Sequence, residues 1–337
     1  MAEAQAEAEA PRRLVIAYRS DGFVQMGGLR RIAQELVAHL GATRPDLAVA
    51  TLTTTPAGAL PLTEPCRRLS PPDQLLLVGC DVPWAYGLAV RARLRGQPVS
   101  WLPSFHDPAS AIHRRKARVA QLALQALQAL GVVVYVQTSH ERRLLQGRPP
   151  GRCRLSGHGL PAAIRHALNA GGGADPGGEE ALDRPIDLLF LGRPTVQKGW
   201  PRFLAVARAT RLRCEAIVPI PPQGEAPVAL HHRPDDAQVK ALLLQAKLVL
   251  IPATYESFGI AQLEALMAGC VVPVLGHWPL WDGCEVLQWQ GLDPAGLAQR
   301  CELLCGDPRR RRRLLQRQLR YLRQHPVLTT PVLPGLP

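Results

Sequence analysis

Aromatic residues are scarce: Trp, Tyr and Phe together make up 5% of the 337 residues. None of them interleaves with the basic clusters at 113–118, 142–143 and 309–313, so a platform for stacking single-stranded bases is missing and a nucleic-acid partner is not expected. The eight cysteines form no C-x-x-C pair. Cys301 and Cys305 can share a helical face, but no further His or Cys set completes a zinc site beside them. The cysteines read instead as small buried hydrophobes in a reducing cytosol. No apolar run is long enough to span a bilayer, because the most apolar window, 119–136, is broken by Gln and Gly and divides into a helix and a strand. The opening MAEAQAEAEAPRR lacks the apolar segment of a secretory signal. Acidic residues are in deficit, 27 against 40 Lys and Arg, and the resulting formal charge of +13 favours anionic partners such as nucleotides or an acidic lipid surface.

What is present is a soluble composition, 47% hydrophobic, long enough for two domains with sizeable cores. Near-continuous apolar runs at 13–18, 46–53, 74–80, 98–104 and 132–139 predict strands, and helical patterns separate the later ones. The helix after the first strand starts near Leu29, and another covers 109–130, with Leu122, Leu124, Leu127 and Leu130 marking its apolar positions. A second series follows: strands at 186–193, 214–220, 247–254 and 271–276, with helices over 203–209 and 235–246 among them. Strands buried on both faces and alternating with helices predict parallel sheets, whose ligands bind beyond the carboxyl ends of the strands. Residues 1–11 form an Ala/Glu-rich tail expected to be disordered. The first domain then runs over 12–165, a Gly- and Pro-rich linker over 166–185, and the second domain over 186–306. A basic helix over 307–325 and a Pro-rich loose tail over 326–337 complete the chain.

The stretch TYESFGIAQLEALMAG, 254–269, organises the second domain. It predicts a turn followed by a helix starting near Phe258, with Gly269 as its stop. Seven residues separate Glu256 in the turn from Glu264 in the helix. At about 100° per residue Glu264 lies on a different face from Leu263 and Met267. The N–H groups of Phe258, Gly259 and Ile260 stand at the helix start, where an anion is bound without side-chain charge. Earlier in the same domain, FLGRPTVQKGW places Arg193 at a strand's carboxyl end and Lys198 just beyond it. Two cations and a helix start can stabilise a departing nucleoside diphosphate without a metal ion. In the first domain, Gly27 and Gly28 precede a helix and permit close backbone approach, although the full G-x-G-x-x-G pattern is absent. His106 follows the 98–104 strand, where it is either a site residue or, with Asp107, a loop residue capping the next helix.

The E-x7-E pattern with its inner ESFG and EALMAG, together with FLGRPTVQKGW, resembles the retaining, nucleotide-sugar-dependent glycosyltransferases of family 4 (glycosyl transferases group 1). That resemblance covers nearly the whole chain and is strongest over 186–306. It implies the GT-B fold, two Rossmann-like parallel-sheet domains facing a cleft, and a sugar transferred from a nucleotide diphosphate sugar to an acceptor hydroxyl. By the same resemblance, Arg193 and Lys198 clamp the donor diphosphate, Glu264 holds the ribose, and Glu256 and His106 lie by the donor sugar as catalytic candidates. Gly27 and Gly28 abut the donor phosphate and the acceptor pocket. Configuration would be retained through an oxocarbenium-like ion pair whose leaving phosphate takes the acceptor proton, with neither metal nor cofactor. The pattern departs at 276–287, GHWPLWDGCEVL, where the family has a Gly-Gly-x-x-Glu turn: Glu285 can align, but the glycines are gone and Trp278 and Trp281 appear. An inactive sugar-nucleotide-binding homologue is the alternative that this departure leaves open. The basic C-terminal helix is either a solvated face or a peripheral contact with the inner face of a membrane, in a protein otherwise expected in the cytoplasm.

Overall fold

A computed structural model describes residues 13–19, 28–44, 47–54, 73–79, 83–103, 114–147, 151–156, 184–256, 259–276, 278–281, 284 and 288–324. The chain forms two compact units. One comprises Met1–Ser104, Arg118–Val136 and Arg142–Arg154, and the other Phe105–Ala117, Gln137–Glu141 and Leu155–Pro337.

The first unit is built on a six-stranded sheet of β1 (Arg13–Arg19), β2 (Ala48–Thr54), β3 (Gln74–Val78), β4 (Val99–Leu102), β5 (Val133–Val136) and β6 (Cys153–Leu155), in the order β2-β1-β3-β4-β5-β6. Pairing is parallel from β2 through β5. Its helices are α1 (Gly28–Thr43), α2 (Pro83–Leu94), α3 (Arg114–Ala129) and α4 (Ser139–Leu145), the last two straddling the division between units. Every residue of β3 is buried, as expected of a strand covered on both faces. Helix α3 departs from the predicted pattern: Leu124 and Leu127 are buried, but Leu122 and Leu130 are exposed.

The second unit repeats the design with β7 (Ile186–Leu191), α5 (Trp200–Arg208), β8 (Cys214–Val218), β9 (Ala229–His232), α6 (Asp236–Gln245), β10 (Ala246–Val249), α7 (Ile260–Met267), α8 (Pro294–Cys305) and α9 (Pro308–Gln324). The four strands are all parallel, in the order β10-β7-β8-β9. Phe190, Trp200 and Phe203 pack ring to ring in the core, 5.1–5.8 Å between centroids. Asp235 starts α6 with a reciprocal cap, accepting from the Gln238 N–H while the Gln238 side chain accepts the Asp235 N–H. The order matters for function. Chain from β7 runs to β8 on one side and returns through β10 on the other, so the crevice expected at such a reversal lies at the carboxyl ends of β7 and β10.

Several predicted boundaries move, three of them around the stretch 247–276. The 247–254 strand ends at Val249, since Pro252 has no N–H to continue a ladder. The 271–276 segment makes only isolated parallel bridges, Leu248 with Val271 and Val274 with Gln288, and here too a proline, Pro273, interrupts the pairing. Helix α7 begins at Ile260 rather than 258, because Gly259 adopts a left-handed conformation (φ 70°) as its N-cap. The break between the last two helices stands where expected, at 306–308. Six cysteines are described, all buried free thiols, and burial pushes those of Cys214, Cys270 and Cys305 up to about 12.

Candidate active site

The loop leaving β7 is short and internally tied. Thr195 N–H donates to the Arg193 carbonyl (2.8 Å), Gly199 N–H to the Val196 carbonyl (3.0 Å) and Trp200 N–H to the Thr195 carbonyl (3.0 Å). The loop is also tied across to the β10 exit, where Thr254 N–H donates to the Gln197 carbonyl (3.2 Å). Gly199, at φ 74°, is pressed against that exit: a Cβ there would stand 2.0 Å from the Pro252 carbonyl oxygen. Gly276 sits equally close on the other side, 2.0 Å from the Ala253 carbonyl oxygen by the same measure. Close packing of glycine backbone thus holds Ile251–Thr254 between two loops.

This arrangement joins two residues singled out in the sequence. The Lys198 ammonium forms an ion pair with the Glu256 carboxylate, both part-buried, across 58 residues of chain. Arg193 stands exposed on the same loop, and among the described residues no ion pair engages it. Beside Glu256, α7 starts at Gly259 with no capping side chain, so its first N–H groups are not satisfied by a side-chain cap. Leu263 and Leu266 are fully buried in the core, while Glu264 is half-buried on an adjoining face. Of the other predicted residues, Gly28 opens α1 in the first unit. Gly27, His106 and Phe258 lie outside the described residues, as does Glu285.

A small recess of about 10 Å³, room for roughly one water molecule, lies against Glu256 and is lined by Ala253, Gln262, Leu275 and Trp278 among others. Trp278 is buried and its ring edge covers the helix start: a Cβ on Gly259 would lie 2.6 Å from its Cζ2 and 2.9 Å from the Gln262 Oε1. The indole is braced from behind. Trp278 meets Trp281 edge-on (centroids 5.3 Å), and Trp281 stacks on Tyr321 of α9 (5.4 Å, 19°). On α9 too, the buried Gln318 side chain donates to the Val272 carbonyl (2.7 Å) and accepts its N–H (3.3 Å). Gln262 was not picked out by sequence, since a lone Gln in an apolar helix carries no local sign of what it will face.

Tyr255, next to Glu256, is anchored by a buried carboxyl. Its hydroxyl donates to Glu141 Oε1 (3.1 Å), whose other oxygen accepts the Gln137 N–H (2.7 Å), while the Glu141 N–H donates to Thr138 Oγ1 (3.1 Å). All four of these residues belong to the second unit. Burial pushes the Glu141 carboxyl up to about 7, against the hydrogen bonds that favour its ionised form. Among the described residues no group of three or more His, Cys, Asp or Glu could hold a metal ion.

The comparisons with known proteins bear on this site directly. Residues 225–275, spanning β9, α6, β10, Glu256 and all of α7, match the family model for glycosyl transferases group 1. That match covers 51 of the 337 residues, and the fold is the GT-B arrangement of the structures below. No curated protein matches the chain by sequence. Solved structures with the GT-B arrangement are similar over nearly its whole length. Anabaena HepE in complex with UDP and glucose is 14% identical, with 94% of this chain and 96% of that chain covered and a TM-score of 0.67. The α,α-trehalose 6-phosphate synthase of Burkholderia multivorans is also 14% identical, covering 94% and 95% at a TM-score of 0.62. A trehalose-6-phosphate synthase described as OtsA is 11% identical, covering 94% and 96% at 0.65. The GT-B fold accounts for the two parallel sheets, and the group 1 match falls on the element that carries Glu256 and Glu264.

Proposed function

We propose that this protein is a retaining, metal-independent glycosyltransferase that moves a sugar from a nucleoside diphosphate sugar to an acceptor hydroxyl. The observation that carries the reading is the meeting of Lys198 and Glu256 beside the uncapped start of α7, at the reversal point of the second sheet. A diphosphate would take Lys198, Arg193 and the first amides of α7 as partners, each a donor to anionic oxygen. Glu264 would accept from the ribose hydroxyls, and Glu256, while pairing Lys198, would accept from the sugar. As the bond from C1 to the phosphate oxygen breaks, these cations and amides stabilise the charge growing on the diphosphate. The acceptor oxygen bonds to C1 on the same face, and its proton passes to the departing phosphate. The similar HepE structures hold UDP and UDP-glucose, which supports a nucleotide sugar as the donor. Free buried thiols fit a cytoplasmic protein, and a peripheral membrane contact through the exposed arginines of α9 belongs to the same reading.

One observation favours a second reading, binding without turnover: the Trp278 ring edge lies over the very helix start that a donor needs. Calorimetry with UDP, ADP and GDP, followed by transfer assays with the matching sugar nucleotides, separates the two. The parent protein should bind one nucleoside diphosphate, and Lys198→Met or Arg193→Ala should weaken it about ten- to a hundredfold, the loss expected of a charged hydrogen bond. Binding that persists with no turnover on any acceptor supports the second reading, and no binding at all removes both.

A further inference from the structure

Helix α3 has two apolar faces, and only one of them is used by the core. Ala117, Leu124 and Leu127 are buried together with Gln128, whose side chain donates to the Leu145 carbonyl (2.7 Å). On the opposite side, Val119 is 63% exposed and Leu122 67% exposed, and Leu130, just past the helix end, is 47% exposed. Ala126 is exposed between them, so one stripe, 119-122-126-130, runs from the second turn of the helix to just past its end. At about 100° per residue Arg115, Arg118, Val119, Leu122 and Ala126 fall within roughly one quarter to one third of a turn. Single exposed leucines are ordinary, but a continuous stripe on a helix with no neutral polar or acidic residue among them is not.

The charges on α3 are equally one-sided. Arg114, Arg115, Lys116 and Arg118 are all exposed, and the helix contains no Asp or Glu. Four cations at a helix N-terminus oppose the helix dipole, so they lower the helix's own stability and call for a reason outside it. At the other end, Arg93 of α2 donates from Nε to the Leu130 carbonyl (3.1 Å), and Leu94 beside it is 77% exposed, extending the apolar margin.

We infer that α3 is a membrane-contact helix that lies flat on an anionic lipid surface, with Val119, Leu122 and Leu130 entering the headgroup boundary and Arg114, Arg115, Lys116 and Arg118 meeting lipid phosphates. Cations beside an apolar stripe are the composition of helices that lie in the interface plane. A second copy would bring like charge against like, and a nucleic acid has no use for the aliphatic stripe. This extends the membrane contact in the functional reading above to a different element. Helix α9 contributes charge only, because Leu315, Leu319 and Leu322 are all turned into the core. Each cation near such a surface adds about fivefold to affinity, and the aliphatic side chains add a part that salt does not screen.

Co-sedimentation of the full chain with vesicles of phosphatidylglycerol and phosphatidylcholine, compared with phosphatidylcholine alone, tests this. Binding should require the anionic lipid and weaken in high salt. Val119→Gln with Leu122→Gln, both at exposed positions, should reduce partitioning at least tenfold with an unchanged circular dichroism spectrum. Arg115→Gln with Arg118→Gln should reduce it and flatten the salt dependence, whereas Arg312→Gln with Arg313→Gln should leave the high-salt residue intact. Three results overturn the inference: no binding of the parent to any vesicle, equal binding by the Val119/Leu122 variant, or an oligomer or nucleic-acid complex that the same variant abolishes. None of these depends on nucleotide binding, so the transferase reading stands or falls separately.

Discussion

Gly259→Ala examines the contact between the start of α7 and Trp278. Two costs combine at this position. The backbone is left-handed (φ 70°), which penalises an L side chain by roughly 1–2 kcal/mol. The new methyl also meets the Trp278 ring at 2.6 and 2.8 Å, and that ring is braced by Trp281 and Tyr321, so overpacking adds about 1–3 kcal/mol. The Gln262 Oε1, at 2.9 Å, is the end of a flexible side chain and can give way at little cost. A total of about 2–5 kcal/mol should lower the urea midpoint without changing the m-value, and a melting temperature would fall by several degrees for a domain of this size. The decisive step is the same change in a Trp278→Ala background. That background is itself destabilised by the missing indole, by about 3–5 kcal/mol, but it removes the clash. Gly259→Ala should then cost only the backbone part, leaving a coupling of about 1–3 kcal/mol. An equal cost in both backgrounds, or a Gly259→Ala protein as stable as its parent, would refute the placement of Trp278 on the helix start.

Two further predictions concern buried charge. Arg311 is almost wholly buried and donates to the last carbonyls of α8, Leu304 (2.9 Å) and Cys305, so Arg311→Ala should destabilise by about 2–4 kcal/mol, read from the urea midpoint. Arg311→Lys should recover part of that stability, because both bonds come from the single nitrogen Nη1 and an ammonium also carries several N–H donors on one nitrogen. The Glu141 carboxyl is pushed up from 4.5 to about 7 by burial, so between those values the native protein keeps a proton that the unfolded chain gives up. Its contribution therefore makes stability fall as pH rises from about 4.5 to 7 and then level off, by up to roughly 3 kcal/mol. Glu141→Gln should remove that slope in urea titrations at pH 5 and pH 8, and an unchanged slope would show that Glu141 is ionised in the fold.

Where the chain was legible, the signal was local. Apolar runs such as QLLLV and CEAIV are buried along their whole length and announce strands of a covered parallel sheet. Arg193, Lys198 and Glu256 could be placed at strand exits from sequence alone, and the fold brings Lys198 and Glu256 into contact. What escaped was decided by distant neighbours. Strand β9, ALHH, is mostly exposed at the sheet edge and has no apolar run to reveal it. The stripe on α3 looked like core, because 122 and 130 fit a helical apolar pattern as well as 124 and 127 do; only packing distinguishes the face that the sheet covers. Trp278 was visible as a departure from the resembled pattern, but its seat on Gly259 depends on Trp281 and Tyr321, which no spacing rule connects.

The paired glycine seats at 199 and 276 have a consequence for how such a protein can diversify. With carbonyls of Pro252 and Ala253 held between them at distances that leave no room for even one methyl, the floor of the recess behaves as a fixed casting. New ligand preferences cannot come from sliding either loop along that floor, so they must arise by exchanging the side chains that rise from it. A directed-evolution library confined to positions 256, 262, 275 and 278 would therefore sample most of the accessible variation, and one that randomised 199 or 276 would mostly return unfolded chains.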